Sequence, residues 1–294
     1  MTKHGAAAWI LAGPALLVIA VFFAVPVVAG LALSLTDFDI YALADLSTLR
    51  FVGLQNYARL LQTPLFWQAL GNTLYFVVVG VPVSIGLSLC AALLLDSRFA
   101  RWQPFFRTSL FAPVVTTAVA VAVIWRYLLH TRYGLVNQGL AAIGLAPVDW
   151  LGDPLWSMPA IIAFAAWKNF GYNMIILLAA LQAVPRELYE AARIDGAGAL
   201  ARFTDVTLPS LVPTLVLVGV LTVSGYFQLF AEPYVMTQGG PLRSTFSMLY
   251  LMYEEGFRWW NLGNASAVAF LLFIVIFCAS WVMLRFDRDA PGRR

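Results

Sequence analysis

Residues 185–209 read PRELYEAARIDGAGALARFTDVTLP, a charged stretch that lies between two apolar runs of membrane-spanning length. Only 11% of the 294 residues are charged, whereas 61% are hydrophobic. A soluble domain is roughly 45–50% apolar and about 25% charged. The composition therefore predicts a polytopic membrane protein. A charged stretch between its spans is a candidate surface for contacting a soluble partner.

Apolar runs account for most of the chain. A helix needs roughly 20 mostly apolar residues to cross about 30 Å of hydrocarbon. The first run is too long for the core of a signal peptide, so we interpret it as a retained helix. The sequence predicts an all-α integral membrane protein with six transmembrane helices. The six runs are residues 9–35, 73–95, 105–129, 157–183, 210–230 and 265–286.

Lysine and arginine predict the orientation of the spans, because cytoplasmic connections carry an excess of them. With the N-terminus in the cytoplasm, most of the 18 basic residues fall on the inside. The charged stretch and both termini are then cytoplasmic, and the connections around 37–70 and 130–156 lie outside. The inside residues are Lys3, Arg98, Arg101, Arg107, Arg186, Arg193, Arg202, Arg285, Arg288, Arg293 and Arg294.

The charged stretch carries its own folding signals. Pro185 suits the first turn of a helix, and an early acidic residue such as Glu187 favours the helix dipole. Asp195-Gly196 is a turn signal. A second short helix is predicted from about 197 to 206, before the next span begins at Leu208-Pro209. The two short helices would form a compact docking knob; an interfacial loop without a partner is the alternative.

Glu190-Ala191-Ala192, Gly196, Val206 and Leu208-Pro209 together resemble the EAA loop of the permeases of ABC importers. The sequence departs from the usual pattern of that loop only slightly, because Val206 occupies a position where isoleucine is usual. Other stretches resemble the carbohydrate-importing branch, which includes maltose-like and glycerol-3-phosphate permeases, and they occur in the expected order. These stretches are residues 52–57, 181–185, 194–197 and 239–245.

The resemblance implies a type I ABC importer transmembrane fold with a cytoplasmic coupling helix. It divides the chain into an N-terminal helix with a periplasmic connection (1–69), a permease core (70–286) and a cytoplasmic tail (287–294). The coupling loop would be residues 185–209 within the core. In that loop Glu190 would make the polar contact to an ATPase, and Gly196 would provide the bend. The implied coupling residues are Glu190, Ala191, Ala192, Asp195, Gly196 and Ala197.

The implied complex is an ATP-driven importer in a bacterial inner membrane. Its other members would be a second homologous permease, an ATPase dimer and a periplasmic or extracellular sugar-binding protein. The substrate would be a di- or oligosaccharide, or a related polyol or glycerol phosphate. A secondary transporter of small solutes is the alternative, but no Asp or Glu lies deep in any apolar run to couple an ion.

The residues themselves argue against an enzyme in this chain. A phosphate-binding P-loop needs a lysine after a glycine-rich pattern, and neither Lys3 nor Lys168 follows one. His4 and His130 cannot form a His-Glu-x-x-His metal site. We therefore expect no cofactor or metal on this chain, with ATP and magnesium bound by the partner ATPase.

Polar residues within the fourth and fifth runs are candidates for the substrate path. A charge near mid-membrane, such as Lys168, costs roughly 2.5–3.5 kcal/mol on insertion scales. It therefore contacts either a substrate cavity or a structural partner such as Glu232. Aromatic faces and polar groups are what sugar recognition uses, although Trp167 and Tyr172 could equally pack in the bundle. Two faces of the fifth run remain open. The candidates are Trp167, Lys168, Asn169, Tyr172, Asn173, Thr222, Ser224, Tyr226 and Gln228.

Overall fold

A computed structural model describes residues 3–45, 47, 49–97 and 102–288. Nearly all regular structure in these residues is helical, and one isolated bridge pairs Thr36 with Phe51. Several basic residues that support the predicted orientation fall outside the described side chains, as does most of the predicted tail 287–294. They are Lys3, Arg98, Arg101, Arg288, Arg293 and Arg294.

Fifteen α-helices, numbered in chain order, are present in the described residues. Three π-helical turns, Ala20–Ala24, Phe203–Thr207 and Glu254–Arg258, connect some of them. The helices are α1 Lys3–Ile19, α2 Val25–Ser34, α3 Ile40–Ala44, α4 Gln55–Gln62, α5 Pro64–Asp96, α6 Gln103–Val115, α7 Ala118–Leu128, α8 Leu135–Ala142, α9 Pro154–Gln182, α10 Arg186–Ile194, α11 Ala199–Arg202, α12 Leu208–Tyr226, α13 Ala231–Met236, α14 Met248–Tyr253 and α15 Leu262–Arg288.

Membrane-length helices confirm the predicted fold class. Within the described residues, five helices are long and apolar enough to cross a membrane, and one bent pair makes a sixth if it counts as one span. The second span begins at Pro64, well before the predicted start at residue 73. The five are Trp9–Ser34, Pro64–Asp96, Pro154–Gln182, Ala199–Tyr226 and Leu262–Arg285.

The third predicted run, 105–129, is not one straight helix. Helices α6 and α7 meet at a bend of 99°. Thr116 and Thr117 have extended backbone there, and the Thr116 hydroxyl donates to the Pro113 carbonyl over 2.6 Å. A threonine hydroxyl that bonds a nearby carbonyl competes with helix formation, and β-branched residues are stiff in helices. Periodicity alone did not reveal the break, because both halves are apolar and form one run of membrane-spanning length.

The second short helix of the charged stretch is also different from the prediction. Instead of a separate helix over 197–206, α11 continues through a π-helical turn into α12, and the resulting span is Ala199–Tyr226. Pro209 does not interrupt it, because the π-helical turn Phe203–Thr207 lies just before Pro209, and such local adjustments accommodate proline within membrane helices. The turn at Gly196 is present, with φ at +79°. The knob therefore consists of α10 and the end of a long helix.

The chain divides into two compact units. The first comprises the described residues of Met1–Phe66 and Leu251–Phe273. At its centre lies Asn56, which is 2% exposed and donates from its amide to the carbonyls of Ser34 (2.9 Å) and Thr36 (2.7 Å). Gly263 allows a close approach there, since a Cβ on Gly263 would lie 2.4 Å from the Thr36 carbonyl oxygen. These contacts fix the end of the first span.

The second unit comprises the described residues of Trp67–Tyr250 and Ile274–Arg294. Helix α9 runs through it and is the most buried span, with 56% of its apolar window inside the protein. The Ser88 hydroxyl of α5 donates to the Phe170 carbonyl of α9 over 2.9 Å. Like α5 and α12, α9 is apolar around most of its circumference, so it has no clean amphipathic pattern. An apolar core against it contains Ala92, Leu95, Met174, Leu177, Leu178, Leu181, Leu211 and Val218.

Helix α6 packs directly against the backbone of α9 at Gly171. A Cβ on Gly171 would lie 2.4 Å from the Leu110 carbonyl oxygen. Backbone atoms cannot move away as a flexible side chain can, so the two helices must separate to admit a side chain. The contact is an example of the small residues that permit close helix packing in membranes.

We expect Gly171→Val to destabilise the protein by about 1–3 kcal/mol, the usual cost of overpacking. The measurement is the temperature midpoint at which the purified protein in mild detergent loses its monodisperse peak. Gly86→Val is the matched control, because a Cβ at this other helical glycine meets nothing within 4 Å. Equal midpoints for the two variants would contradict the proposed close contact.

Candidate functional site

A polar cavity of about 350 Å³ lies among the helices of the second unit. Its walls come from α5, α6, α9 and α12, and the segment leading into α13 closes one end. Amide, hydroxyl, carboxyl and aromatic groups face it together with aliphatic side chains. The lining residues are Phe76, Val114, Ala165, Asn169, Tyr172, Asn173, Leu221, Thr222, Gly225, Tyr226, Gln228, Leu229 and Glu232.

Most of the predicted path residues line this cavity. Those that do are Asn169, Tyr172, Asn173, Thr222, Tyr226 and Gln228. The fifth run contributes residues from both of the faces that helical spacing allows, one with Thr222 and Tyr226 and the other with Leu221 and Gln228. Gly225 belongs to both faces, and of the polar candidates on this run only Ser224 is absent from the lining.

Three predicted path residues do not line the cavity. Trp167 faces a separate apolar groove and packs against Trp125, with ring centroids 5.5 Å apart. Ser224 is absent from the lining, and its backbone carbonyl accepts a hydrogen bond from the Gln228 side-chain amide over 3.0 Å. Lys168 is 9% exposed and lies among packed helices. The Trp167 position follows from helical geometry, since it is turned by about 200° from Asn169 at 100° per residue.

A hydrogen bond between α9 and α12 holds the cavity wall together. The Asn173 side chain is 4% exposed, and its amide donates to the Thr222 hydroxyl oxygen over 2.9 Å. The Thr222 hydroxyl in turn donates to the Val218 carbonyl over 2.7 Å. Both Asn173 and Thr222 therefore have a structural partner, and part of their hydrogen-bonding capacity remains for a ligand.

Two buried hydroxyl groups near the cavity, those of Tyr226 and Ser84, make no hydrogen bond of good geometry within the described residues. The side chains of Ser84 and Asn169 lie near the Tyr226 hydroxyl and interact with it only weakly. Tyr226 is 5% exposed and Ser84 is fully buried. Buried polar groups in proteins are nearly always hydrogen-bonded, so an orphaned hydroxyl calls for a physical explanation. A hydroxylated ligand in the cavity would supply a partner to Tyr226.

Glu232 was considered from the sequence only as a partner of Lys168, yet it lines the cavity. Burial raises the pKa of Glu232 above its ordinary value, whereas its own backbone N–H and then the charge of Lys168 lower it. Among the described residues no nitrogen–oxygen distance of 4 Å or less joins Lys168 to Glu232. The two groups therefore interact through space and do not form a direct ion pair. Glu232 lies in the short helix α13, after the fifth span, and nothing in the sequence indicates that this helix reaches the cavity.

A compact turn follows α13. Gly239 has φ at +78°, and the Thr245 hydroxyl donates to the Gly240 carbonyl over 2.9 Å. The Asn72 amide of α5 donates to the Arg243 carbonyl over 2.8 Å and to the Phe246 carbonyl over 3.0 Å. The stretch 239–245 therefore folds into a defined loop that α5 holds in place beside α13.

Helix α10 carries three of the six residues predicted to couple, Glu190, Ala191 and Ala192. The hydroxyls of Tyr189 and Thr207 are 3.0 Å apart, so one face of α10 is tied to the start of the following span. The opposite face carries Glu187, Glu190, Ala191 and Ile194, which are spaced as i, i+3, i+4 and i+7. All four are exposed, and Ile194 is 86% exposed. A charged helix with an exposed apolar side chain is a candidate docking surface.

The other predicted coupling residues follow α10 directly. The Asp195 N–H donates to the Ala191 carbonyl and the Ala197 N–H to the Ala192 carbonyl, over 3.0 and 2.8 Å. These bonds close the helix with Gly196 in the left-handed region, as in a helix-terminating glycine motif. Asp195 and Gly196 are exposed and Ala197 is partly exposed. The turn is thus a rigid feature beside the exposed face.

Comparison with known proteins gives consistent matches along the chain. The family model described as "Binding-protein-dependent transport system inner membrane component" matches residues 84–290. The lactose transport system permease protein LacF of Rhizobium radiobacter is 36% identical over 286 residues, covering 96% of this chain and 94% of that protein. The sn-glycerol-3-phosphate transport system permease protein UgpA of Agrobacterium fabrum is 32% identical over 279 residues, covering 95% and 93%.

A solved structure has the same fold. A crystal structure of a bacterial ABC transporter involved in the import of the acidic polysaccharide alginate contains a chain that superposes with a TM-score of 0.81. The sequence identity is 23%, and the alignment covers 99% of this chain and 98% of that one.

We expect Thr222→Val to destabilise the protein by about 1–3 kcal/mol, because the substitution leaves the buried Asn173 amide without its acceptor. Thr108→Val is the matched control. Both hydroxyls donate to the carbonyl four residues earlier, but Thr108 is exposed and makes no hydrogen bond to another helix among the described residues. The measurement is the thermal midpoint in mild detergent. A midpoint for Thr222→Val as high as that of the control would show that the Asn173 contact contributes nothing.

Proposed function

The chain belongs to the family of binding-protein-dependent transport system inner membrane components, and on that premise we propose that it is the permease subunit of a carbohydrate ABC importer. The family consists of multi-pass inner-membrane proteins. Such a subunit forms part of the translocation path, while ATP is hydrolysed by separate subunits. The cavity beside α9 would hold the transported solute as it crosses the membrane.

The cavity is the observation that carries this proposal. Its volume of about 350 Å³ falls within the range of small-molecule sites, and its lining combines aromatic surface with amide and hydroxyl groups. A sugar presents apolar ring faces and many hydroxyls, so it matches both kinds of wall. The permeases for lactose and for trehalose and maltose are among the relatives of this chain.

The partners follow from the same premise. We infer a second, homologous permease, because the cavity here is open and a pair would enclose it. Two ATPase subunits would supply the energy, with ATP and magnesium bound on them. A binding protein would deliver the solute, as in the alginate transporter that was crystallised with a pentasaccharide-bound periplasmic protein.

The proposal is tested by purifying the chain from its native membrane in mild detergent and identifying the proteins that accompany it by mass spectrometry. An ATPase and a second permease are expected in similar amounts to the chain. Reconstitution with the binding protein should then give ATP-dependent uptake of a labelled sugar. Recovery of the chain alone from intact membranes, or uptake that ATP does not affect, would refute the importer assignment.

We further propose that α10 and the turn at Gly196 couple this subunit to the ATPase. The exposed face with Glu187, Glu190 and Ile194 has no partner among the described residues of the chain, although α10 is firmly attached through Tyr189. A helix that is fixed on one side and exposed on the other can transmit a movement to the span that follows. The flanking residues Ala191, Ala192 and Ala197 are small enough for close approach by a neighbouring subunit.

We predict that Glu190→Ala lowers ATP-dependent uptake at least about tenfold, since losing one charged contact at a buried interface costs about 2–5 kcal/mol. Uptake and ATP hydrolysis are measured on the reconstituted complex. Asp205→Ala makes the same charge change on the π-helical turn of the same loop and is the control. Normal uptake by the Glu190 variant would exclude the coupling role.

The orientation is a further part of the proposal, with the loop 185–209 and both termini in the cytoplasm. The bent pair α6–α7 would then cross the membrane once. Exposed Ser97, at the end of α5, would be inside, and Leu145, which is 55% exposed after α8, would be outside.

Cysteine labelling tests this orientation in a background that lacks Cys90 and Cys278. We expect Leu145→Cys to react with an impermeant maleimide in intact spheroplasts, and Ser97→Cys to react only after the membrane is opened. The reverse pattern would overturn the orientation. Reaction of both in intact spheroplasts would show that the bent pair does not cross.

A further inference from the structure

The family leaves the charge of the substrate open. Relatives of this chain include permeases for lactose, which is neutral, and for sn-glycerol-3-phosphate, which is an anion. The residues that line the cavity can distinguish the two classes, because a buried anion and a buried neutral solute have different electrostatic requirements.

Acidic and basic groups are unequally placed around the cavity. Glu232 lines it, and no lysine or arginine does within the described residues. Lys168 is buried nearby, and its charge acts on Glu232, but it is not among the lining side chains. The Glu232 carboxyl group accepts from its own backbone N–H and from that of Phe230, and the charge of Lys168 favours its ionised form. No described side chain forms a hydrogen bond or an ion pair with it, and an ionised carboxyl group has about four acceptor sites, so some remain for a solute.

An anionic solute would have no cation to pair with in this half of the path. Moving a charge out of water is expensive unless a partner of opposite charge or several donors compensate. Two amides on the wall are already engaged, since Asn173 donates to Thr222 and Gln228 donates to the Ser224 carbonyl. A carboxylate on the wall would also repel the anion.

A polyhydroxylated neutral solute fits the same wall. Its hydroxyls can donate to the Glu232 carboxyl oxygens and can form with the Tyr226 hydroxyl the well-aligned hydrogen bond that no described residue supplies. Hydrogen bonds to a charged group are stronger than those between neutral groups. The cavity is thus expected to bind solutes with hydroxyl groups more tightly than solutes with phosphate, sulfonate or uronate groups.

We propose that Glu232 is a specificity-determining residue that makes the cavity select uncharged, polyhydroxylated solutes over anionic ones. This inference rests on the proposed function, because it names the solute class that the same cavity would transport. It assigns to Glu232 a role that differs from a structural ion pair with Lys168.

The test measures the electrostatic potential of the cavity directly, without knowledge of the substrate. Gly225 lines the cavity, and a side chain there meets nothing within 4 Å, so Gly225→Cys introduces a reactive thiol. The purified complete importer, with its native cysteines replaced, is treated with a cationic (aminoethyl) or an anionic (sulfonatoethyl) methanethiosulfonate. The rate at which each reagent modifies the thiol is measured, and the cation-to-anion ratio of these rates is calculated. This ratio is divided by the same ratio for an exposed thiol, Leu145→Cys, to correct for the intrinsic reactivity of the reagents.

We expect the corrected cation-to-anion ratio to be about tenfold or more, since one charge acts over a few ångströms through a medium of intermediate dielectric constant. Adding Glu232→Gln should reduce the ratio several-fold, and Glu232→Asp should preserve it. Glu254→Gln makes the same chemical change at a residue that pairs with Arg258 outside the cavity and should leave the ratio unaltered. A ratio near or below one, or no response to Glu232→Gln, would overturn the proposal.

Uptake separates failure of this inference from failure of the proposed function. Reconstituted importer with its binding protein is offered labelled lactose and sn-glycerol-3-phosphate as probes of the two classes. Uptake of the neutral probe, reduced in the Glu232→Gln variant, supports the role of Glu232. Transport of the anion alone overturns the inference but leaves the importer intact, whereas loss of all ATP-dependent uptake refutes the importer itself.

Discussion

The close contact of α6 with α9 at Gly171 is the interaction on which the second unit depends. Because Gly171 has no side chain, the Leu110 carbonyl can approach the α9 backbone, and α9 becomes the most buried span. The hydroxyl of Ser88 then reaches the Phe170 carbonyl from the other side. In a membrane, apolar side chains gain little by leaving lipid, so packing and hydrogen bonds of this kind hold the helices together.

The cavity is a consequence of the same arrangement. With α9 fixed between α5 and α6, its polar residues Asn169, Tyr172 and Asn173 turn toward α12. The bond from Asn173 to Thr222 then sets the width of the opening. A polar wall inside an apolar protein is costly unless its groups find partners. Solute hydroxyls would complete the hydrogen bonding of Tyr226 and Glu232, which the described side chains leave incomplete.

The charged loop, residues 185–209, lies between two spans, so contacts at its ends, and not packing within the membrane, hold it in place. One side of α10 is anchored by Tyr189 to Thr207, so that the opposite side faces outward as a fixed surface. Because α11 continues without a break into α12, a displacement of the loop would be carried into the wall of the cavity. The exposed face of α10 is therefore linked through Tyr189 and Thr207 to the helix that lines the cavity, as the proposed coupling requires.

Composition and local signals alone determined several features of this protein. They specified its membrane character, its apolar runs, the turn at Gly196 and most of the polar residues that line the cavity. These features follow from the number of apolar residues needed to cross a bilayer and from the conformational freedom of glycine, both of which are local. The resemblance of residues 185–209 to a known loop gave the family.

Tertiary structure alone decided the rest. It placed Trp167 against Trp125 and away from the cavity, broke the third run at Thr116 and brought Glu232 to the cavity wall. The chain surrounding α9 and α12 is almost uniformly apolar, so its periodicity does not indicate which face meets a neighbour. Only the packing of helices that are distant in sequence decides that, because their contacts have no local signal.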